Sequence, residues 1–269
     1  MGYLDAIILG LVQGITEFLP ISSSGHLILI RELLGIQTEG GLAFDAVLQL
    51  STTGAVALYF SKDLWLIMQT ALRKLGRLPV NAKDLTLLYA LLIGTVPAVI
   101  LGLLLESIME TIFRSPLLVA GVMVLGSFLF IYAEWVYYNS VPQNNMSVRK
   151  GFQIGLFQCL ALVPGVSRSG ASIAGGMLLG LSRIEAARFS FLLAIPILLG
   201  SGSKKLIELI DKGSSDEWVL VGIGSVVAFM TGMAAIHFLL TFIRHHSLWP
   251  FIWYRLLLAA FVGYVYLVV

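Results

Sequence analysis

Charge is scarce in this sequence. Only 12% of its 269 residues are Asp, Glu, Lys or Arg, while 58% are hydrophobic, and the mean hydropathy is +0.93. A soluble globular chain carries about 25% charge, so this one cannot cover a water-facing surface and reads as a polytopic membrane protein. Net charge is only +2, and no basic cluster is interleaved with aromatics, which excludes a nucleic-acid partner. Cysteine is nearly absent. Cys159 stands alone, so there is no internal disulfide and no Cys/His zinc spacing. A small buried apolar residue is the reading for it. The N-terminus lacks a basic region and a small-residue cleavage site, so no removable signal peptide is expected. Residues 4–15 are too short an apolar run to cross a bilayer.

What is present is organised around residues 9–29, LGLVQGITEFLPISSSGHLIL. An apolar helix runs into a polar knot of Glu17, Ser22, Ser23, Ser24, Gly25 and His26. Pro20 stops the helix, and the serine-glycine run favours local side-chain-to-backbone hydrogen bonds. A carboxylate, an imidazole and hydroxyls in an oily stretch cost several kcal/mol each unless they face protein or water.

Six runs long enough to span follow, at about 44–61, 85–105, 116–138, 186–203, 218–241 and 250–269. Between the third and fourth lies a second interrupted apolar stretch, 151–181, broken by Pro164, glycines and serines and carrying a lone Arg168. The two broken stretches are related. A shift of 145 residues pairs Gly10 with Gly155, Leu11 with Leu156, Gln13 with Gln158, Ser22 with Ser167, Ser24 with Ser169, and Gly25 with Gly170. Pro20 and Pro164 miss by one position, and Phe44 pairs with Phe189.

The expected fold is therefore an all-α polytopic membrane protein with one integral-membrane domain, residues 1–269. It holds two repeats, 1–140 and 149–269, each a re-entrant helical hairpin plus three transmembrane helices. Three spans is odd, so the second repeat must be inverted relative to the first, an arrangement that brings broken segments together near the midplane. Loop charge orients it. With 62–84 on the cytoplasmic side, the inner loops hold Lys62, Arg73, Lys74, Arg77, Lys83, Arg149, Lys150, Arg183, Arg188 and Arg244 against Asp63, Asp84 and Glu185. The outer loops hold five basic residues (Arg31, Arg114, Lys204, Lys205 and Lys212) against eight acids, among them Glu32 and Glu39. That bias has the expected sign. Both termini then lie outside.

Glu17 is a candidate metal ligand, general base or counter-ion, the bland reading being a helix-end carboxylate at a wet interface. Gln13, four residues earlier, shares its face. The serines can cap, bind phosphate or supply a nucleophile, and the amides around Gly25 can form an anion nest. Arg168 aligns with Ser23, stays charged inside a membrane, and has a planar fork that matches phosphate oxygens. A structural ion pair with Glu17 is the competing reading. Together these groups fit phosphoryl transfer on an amphipathic substrate. Asp45 near the start of the first span reads as a span-end carboxylate, the alternative being support of the site, and Arg255 as snorkelling or paired. His237, His245 and His246, with Trp65, Trp135, Tyr137, Tyr138, Trp218, Trp249 and Trp253, read as membrane-interface residues.

QGITEFLPISSSGH (13–26) and PGVSRSG (164–170) resemble the two signature motifs of the undecaprenyl-pyrophosphate phosphatase family, also called the bacitracin-resistance protein family. The resemblance extends through FDAVLQL (44–50) and covers essentially the whole chain. It implies an enzyme in the cytoplasmic membrane that removes the terminal phosphate of a C55 polyprenyl pyrophosphate, regenerating the lipid carrier for cell-wall polymers. It further implies an active site on the extracytoplasmic side and a divalent cation, Mg²⁺ or Ca²⁺. The matching positions are Glu17, also the metal ligand, with Ser23, His26 and Arg168 as catalytic residues. Gln13, Ser22, Ser24, Gly25, Ser167, Ser169 and Gly170 would bind substrate. Ser23 matches the position proposed as nucleophile, with a histidine or a water as the alternatives. Many members carry a second Glu where this chain has Gln13, which keeps an oxygen ligand but brings no charge. A homodimer is compatible with the sequence. The rival readings are a polyprenyl-phosphate transporter using the same site and a non-catalytic scaffold. The lipid phosphatases with a KxxxxxxRP, PSGH and SRxxxxxHxxxD set are excluded, because no histidine follows Arg168 at the required place and the upstream lysine motif is missing.

Overall fold

A computed structural model describes residues 1–36, 41–111, 115–212 and 215–268. Glu39 and Arg114 of the outer-loop charge count lie outside the described residues, as does the side chain of Lys212.

Everything regular among the described residues is helical. The order is α1 (Tyr3–Phe18), α2 (Ser23–Leu34), α3 (Gly41–Tyr59), α4 (Ser61–Leu75), α5 (Ala82–Thr111), α6 (Pro116–Tyr138), α7 (Val148–Cys159), α8 (Arg168–Leu178), α9 (Arg183–Lys212), α10 (Ser215–Phe242) and α11 (Trp249–Val268). Five of these, α5, α6, α9, α10 and α11, contain stretches long and apolar enough to cross a membrane. The protein is a multi-pass membrane protein.

The first expected span, 44–61, is α3, and it does not continue straight. The chain turns by 80° into α4. Residues 62–84, read from their charge as a loop, are largely this amphipathic helix, with Trp65, Leu72 and Leu75 exposed beside Lys62, Arg73 and Lys74. Asp63 ties it to Arg188 at the start of α9. Its charges lie on one face of a helix whose other face is apolar. α4 ends at Gly76 and Arg77, the latter with φ 57°, a left-handed turn that stops the helix.

Each interrupted stretch is a helix–turn–helix. α1 and α2 flank the turn 19–22. α7, extended by a 3₁₀ turn at Leu160–Leu162, and α8 flank the turn around Pro164. Both arms lie very close to another helix. A Cβ on Gly10 of α1 would sit 2.5 Å from the Gly224 carbonyl of α10, and one on Gly155 of α7 would sit 2.0 Å from the Gly94 carbonyl of α5. Only glycine permits those crossings, the usual device where lipid supplies no hydrophobic drive between helices. Inside, Phe18 at the end of α1 meets Phe191 of α9 edge-on, centroids 5.4 Å apart, and Phe60 packs on the same ring. This core holds the end of α1 against α9, beside the two turns.

Candidate active site

The two turns share a backbone. Ser22 and Ser167 are N-caps with φ 77° and 78°, a region costly for a non-glycine residue and typical of functional sites. Ser22 Oγ accepts from the Gly25 amide (3.4 Å) and Ser167 Oγ from the Gly170 amide (3.1 Å). With those amides capped, the early amides still without an intrahelical acceptor are those of Ser23 and Ser24 in α2, and of Arg168 and Ser169 in α8. Two positive helix ends thus meet at one place, an anion-favouring arrangement. Gly25 and Gly170 serve packing: a Cβ on Gly25 would meet Met123 Cε at 2.9 Å, and one on Gly170 would meet Phe130 Cζ at 2.1 Å.

The turns are bonded to each other. The Gly165 amide donates to Ser22 Oγ (3.1 Å), and Ser169 Oγ donates to the Leu19 carbonyl (3.2 Å). At the centre is Glu17, buried at the end of α1. Its Oε2 accepts from Ser23 Oγ at 2.6 Å and from Gln13 Nε2 at 2.8 Å, and its Oε1 accepts from Arg168 at 2.5 Å. The structure therefore unites Gln13, Glu17, Ser23 and Arg168, drawn from both turns. The ion pair with Glu17 exists, yet it does not exhaust Arg168, whose other terminal nitrogen is buried without a hydrogen-bond partner. A buried donor left bare costs about 1–3 kcal/mol and invites an acceptor.

His26 lies apart from this group. Its Nδ1 is 2.7 Å from the Ser22 carbonyl and its Nε2 is 2.8 Å from the Tyr254 hydroxyl of α11. A carbonyl only accepts, so in the neutral ring Nδ1 carries the proton and Nε2 accepts from Tyr254. Ser24 Oγ is 3.5 Å from Ser22 Oγ, and Ser169 Oγ 3.2 Å from Ser167 Oγ, so both flanking serines brace the caps.

No three His, Cys, Asp or Glu side chains converge among the described residues, so no all-protein metal cage is present there. A divalent cation shared with substrate phosphates needs less, one or two carboxylates with waters completing the shell. Glu17 meets that need, and Gln13 Oε1, buried and without a partner, is a second oxygen donor beside it. The donor set fits such a cation.

Several residues differ from their expected roles. Arg255 neither snorkels nor pairs with an acid. It is fully buried and donates to the carbonyls of Met123, Gly165 and Val166 (3.0 Å each) and to Ser127 Oγ (3.2 Å), with Phe130 4.8 Å beneath its guanidinium. It thereby fixes the second turn. Asp45, by contrast, lies near the start of α3 as expected, and binds Arg31 at 2.5 Å. Glu134, buried in α6 and unremarked in the sequence, accepts from Arg183 and from the Leu248 amide (2.7 Å). Tyr254 was also missed. Its one signal in the sequence is a Tyr-Arg pair inside an apolar span.

A family model described as bacitracin resistance protein BacA matches residues 6–261. Undecaprenyl-diphosphatase of Kineococcus radiotolerans is 43% identical, the match covering 97% of this chain and 93% of that protein. That of Rubrobacter xylanophilus is also 43% identical, covering 97% of each. That of Nitrosococcus oceani is 38% identical, covering 99% of this chain and 100% of the relative. With its two bonded turns inside the matched segment, the chain belongs to the BacA bacitracin resistance protein family.

Proposed function

We propose that this chain is an integral-membrane phosphatase that hydrolyses undecaprenyl pyrophosphate, or a related polyprenyl pyrophosphate, to the monophosphate and inorganic phosphate. The observation that carries the reading is the carboxylate of Glu17 bonded at once to the Ser23 hydroxyl and the Arg168 guanidinium. That is a nucleophile beside its base, with the cation that would hold a phosphate within reach. The names of the relatives at 38–43% identity support it. They lend nothing to the carrier alternative.

The pyrophosphate arrives as an anion between the two helix ends. Arg168 turns from Glu17 to the phosphate oxygens, offering the nitrogen that has no partner in the resting site. Glu17, relieved of the guanidinium, takes the Ser23 proton. Ser23 Oγ attacks the terminal phosphorus, and the P–O bond to the polyprenyl monophosphate breaks, with charge building on oxygens that Arg168 and the free amides face. Water then cleaves the phosphoserine, returning the hydroxyl and releasing phosphate. A divalent cation held by Glu17 and the Gln13 amide oxygen would add neutralising charge on the phosphates when bound.

We propose that the site faces the extracytoplasmic side of the cytoplasmic membrane, with both termini outside and the second half inverted. The support is the basic bias of the loops put inside and the matched turns, which an inverted pair brings together at mid-depth.

The test is phosphate release from C55 and shorter polyprenyl pyrophosphates by purified protein in detergent, with and without EDTA, beside Glu17→Gln and Arg168→Ala. Metal-dependent release that both substitutions abolish is the expected result. Lipid binding that depends on Arg168, with no phosphate released, would replace the enzyme by a carrier.

A further inference from the structure

α11 reaches the site through two adjacent residues, and they act on different turns. Arg255 is locked by four hydrogen bonds, two of them to the Gly165 and Val166 carbonyls of the second turn. A fully buried guanidinium held so tightly cannot slide, so the register of α11 is set there. Tyr254, one position before it, is thereby held at the first turn, its hydroxyl 2.8 Å from His26 Nε2 and its ring nearly parallel to the imidazole, 8° between planes.

From His26 the connection continues. Nδ1–H donates to the Ser22 carbonyl at 2.7 Å, and Ser22 is the residue at φ 77° whose conformation launches α2 and aims Ser23. An imidazole that accepted at Nδ1 would put two acceptors face to face and release that carbonyl. The Ser22 carbonyl, which only accepts, sets the tautomer with the proton on Nδ1, and the Tyr254 hydroxyl, donating to the Nε2 this leaves bare, holds the ring in the plane that keeps Nδ1–H on that carbonyl. Ser23 does not touch the imidazole. Its hydroxyl goes to Glu17.

We infer that Tyr254 is a positioning residue for the site, acting through the orientation of the His26 ring to hold the Ser22 carbonyl and so the aim of the Ser23 hydroxyl at Glu17. This rests on the phosphatase reading for its effect on turnover, but its geometric part stands without it. Misplacing a reacting group by about 1 Å can cost 100-fold, and loss of one outlying hydrogen bond displaces it less.

The experiment compares Tyr254→Phe, which keeps the ring over the imidazole and removes only the hydroxyl, with Tyr254→Leu, which removes both. kcat and KM are measured for polyprenyl pyrophosphate, and the ring nitrogens of ¹⁵N-histidine protein are read by NMR, with His26 assigned by its loss in His26→Asn. Tyr254→Phe is expected to lower kcat about tenfold with KM within twofold. Its His26 Nε2 resonance should move to that of a nitrogen with no donor, and Tyr254→Leu should cost no more in kcat. In the His26→Asn background, Tyr254→Phe should cost nothing further. Wild-type kcat in Tyr254→Phe, or a fall in kcat with the His26 resonance unmoved, would overturn the inference. A cost confined to Tyr254→Leu would reduce the tyrosine to packing. Wild-type protein that releases no phosphate would defeat the phosphatase reading instead, and the nitrogen resonances would still decide whether the Tyr254 hydroxyl donates to His26 Nε2.

Discussion

The first and second turns have one frame and opposite chemistry. Ser22 and Ser167 share their dihedrals and their caps, and Gly25 and Gly170 are both packed so tightly that a Cβ would collide. The residues hung on that frame diverge. Under the 145-residue shift Glu17 answers to Leu162, Ser23 to Arg168 and His26 to Ala171, while Gln13 and Gln158 stay alike. Gln158 keeps the buried amide without a carboxylate to receive it, and both its polar atoms lack partners. The lesson is that one backbone geometry serves both turns because it solves the same folding problem in each. Charge is divided between them, the acid and hydroxyl at the first turn and the cation at the second. Neither turn alone is a site.

Making the turns alike should therefore destroy activity. Glu17→Leu gives the first arm the residue of the second, and Arg168→Ser does the reverse. Each is expected to lower phosphate release by about a thousandfold. Glu17→Leu should also lower thermal stability, since it strands a partly buried guanidinium, a cost of about 3–5 kcal/mol. Arg168→Lys keeps the charge and loses the fork. A drop of about 100-fold in kcat/KM is expected, and near-normal turnover would remove the bidentate role.

Substitutions in the shared frame should instead act alike in both halves. Gly10→Val and Gly155→Val each push a side chain into a facing carbonyl. Each should destabilise by at least about 1–3 kcal/mol, read as earlier thermal unfolding in detergent. The smallest effect belongs to the caps. Ser167→Ala should cost about 1 kcal/mol, and Ser22→Ala somewhat more, because Ser22 Oγ also receives the Gly165 amide. Equal losses would mean that this bond between the turns contributes nothing.

The members of the site were legible where polarity was expensive. Glu17, Ser23 and Arg168 stood out because each interrupts an apolar run, and the turns were legible because proline and serine-glycine sequences end helices for local reasons. What stayed hidden depended on distance along the chain. His26 was singled out with the serines around it, but the bond of its Nε2 to a tyrosine 228 positions on was not visible. Arg255 was visible as a charge in a span, yet three of its four partners are backbone carbonyls, which leave no mark in side-chain chemistry. α4 was missed for the opposite reason, since a strong local signal, its charge, masked another local signal, its period.

The dependence of both turns on α11 also sets an order of events. Synthesis runs from the N-terminus, so the two helical hairpins are made before residues 249–268 exist. Until that last segment enters the membrane, the Gly165 and Val166 carbonyls lack their arginine and His26 lacks its tyrosine. A nascent chain can therefore insert most of its mass with both turns of the candidate site still unbraced, and the bonds that brace them are completed in one of the final steps of biogenesis.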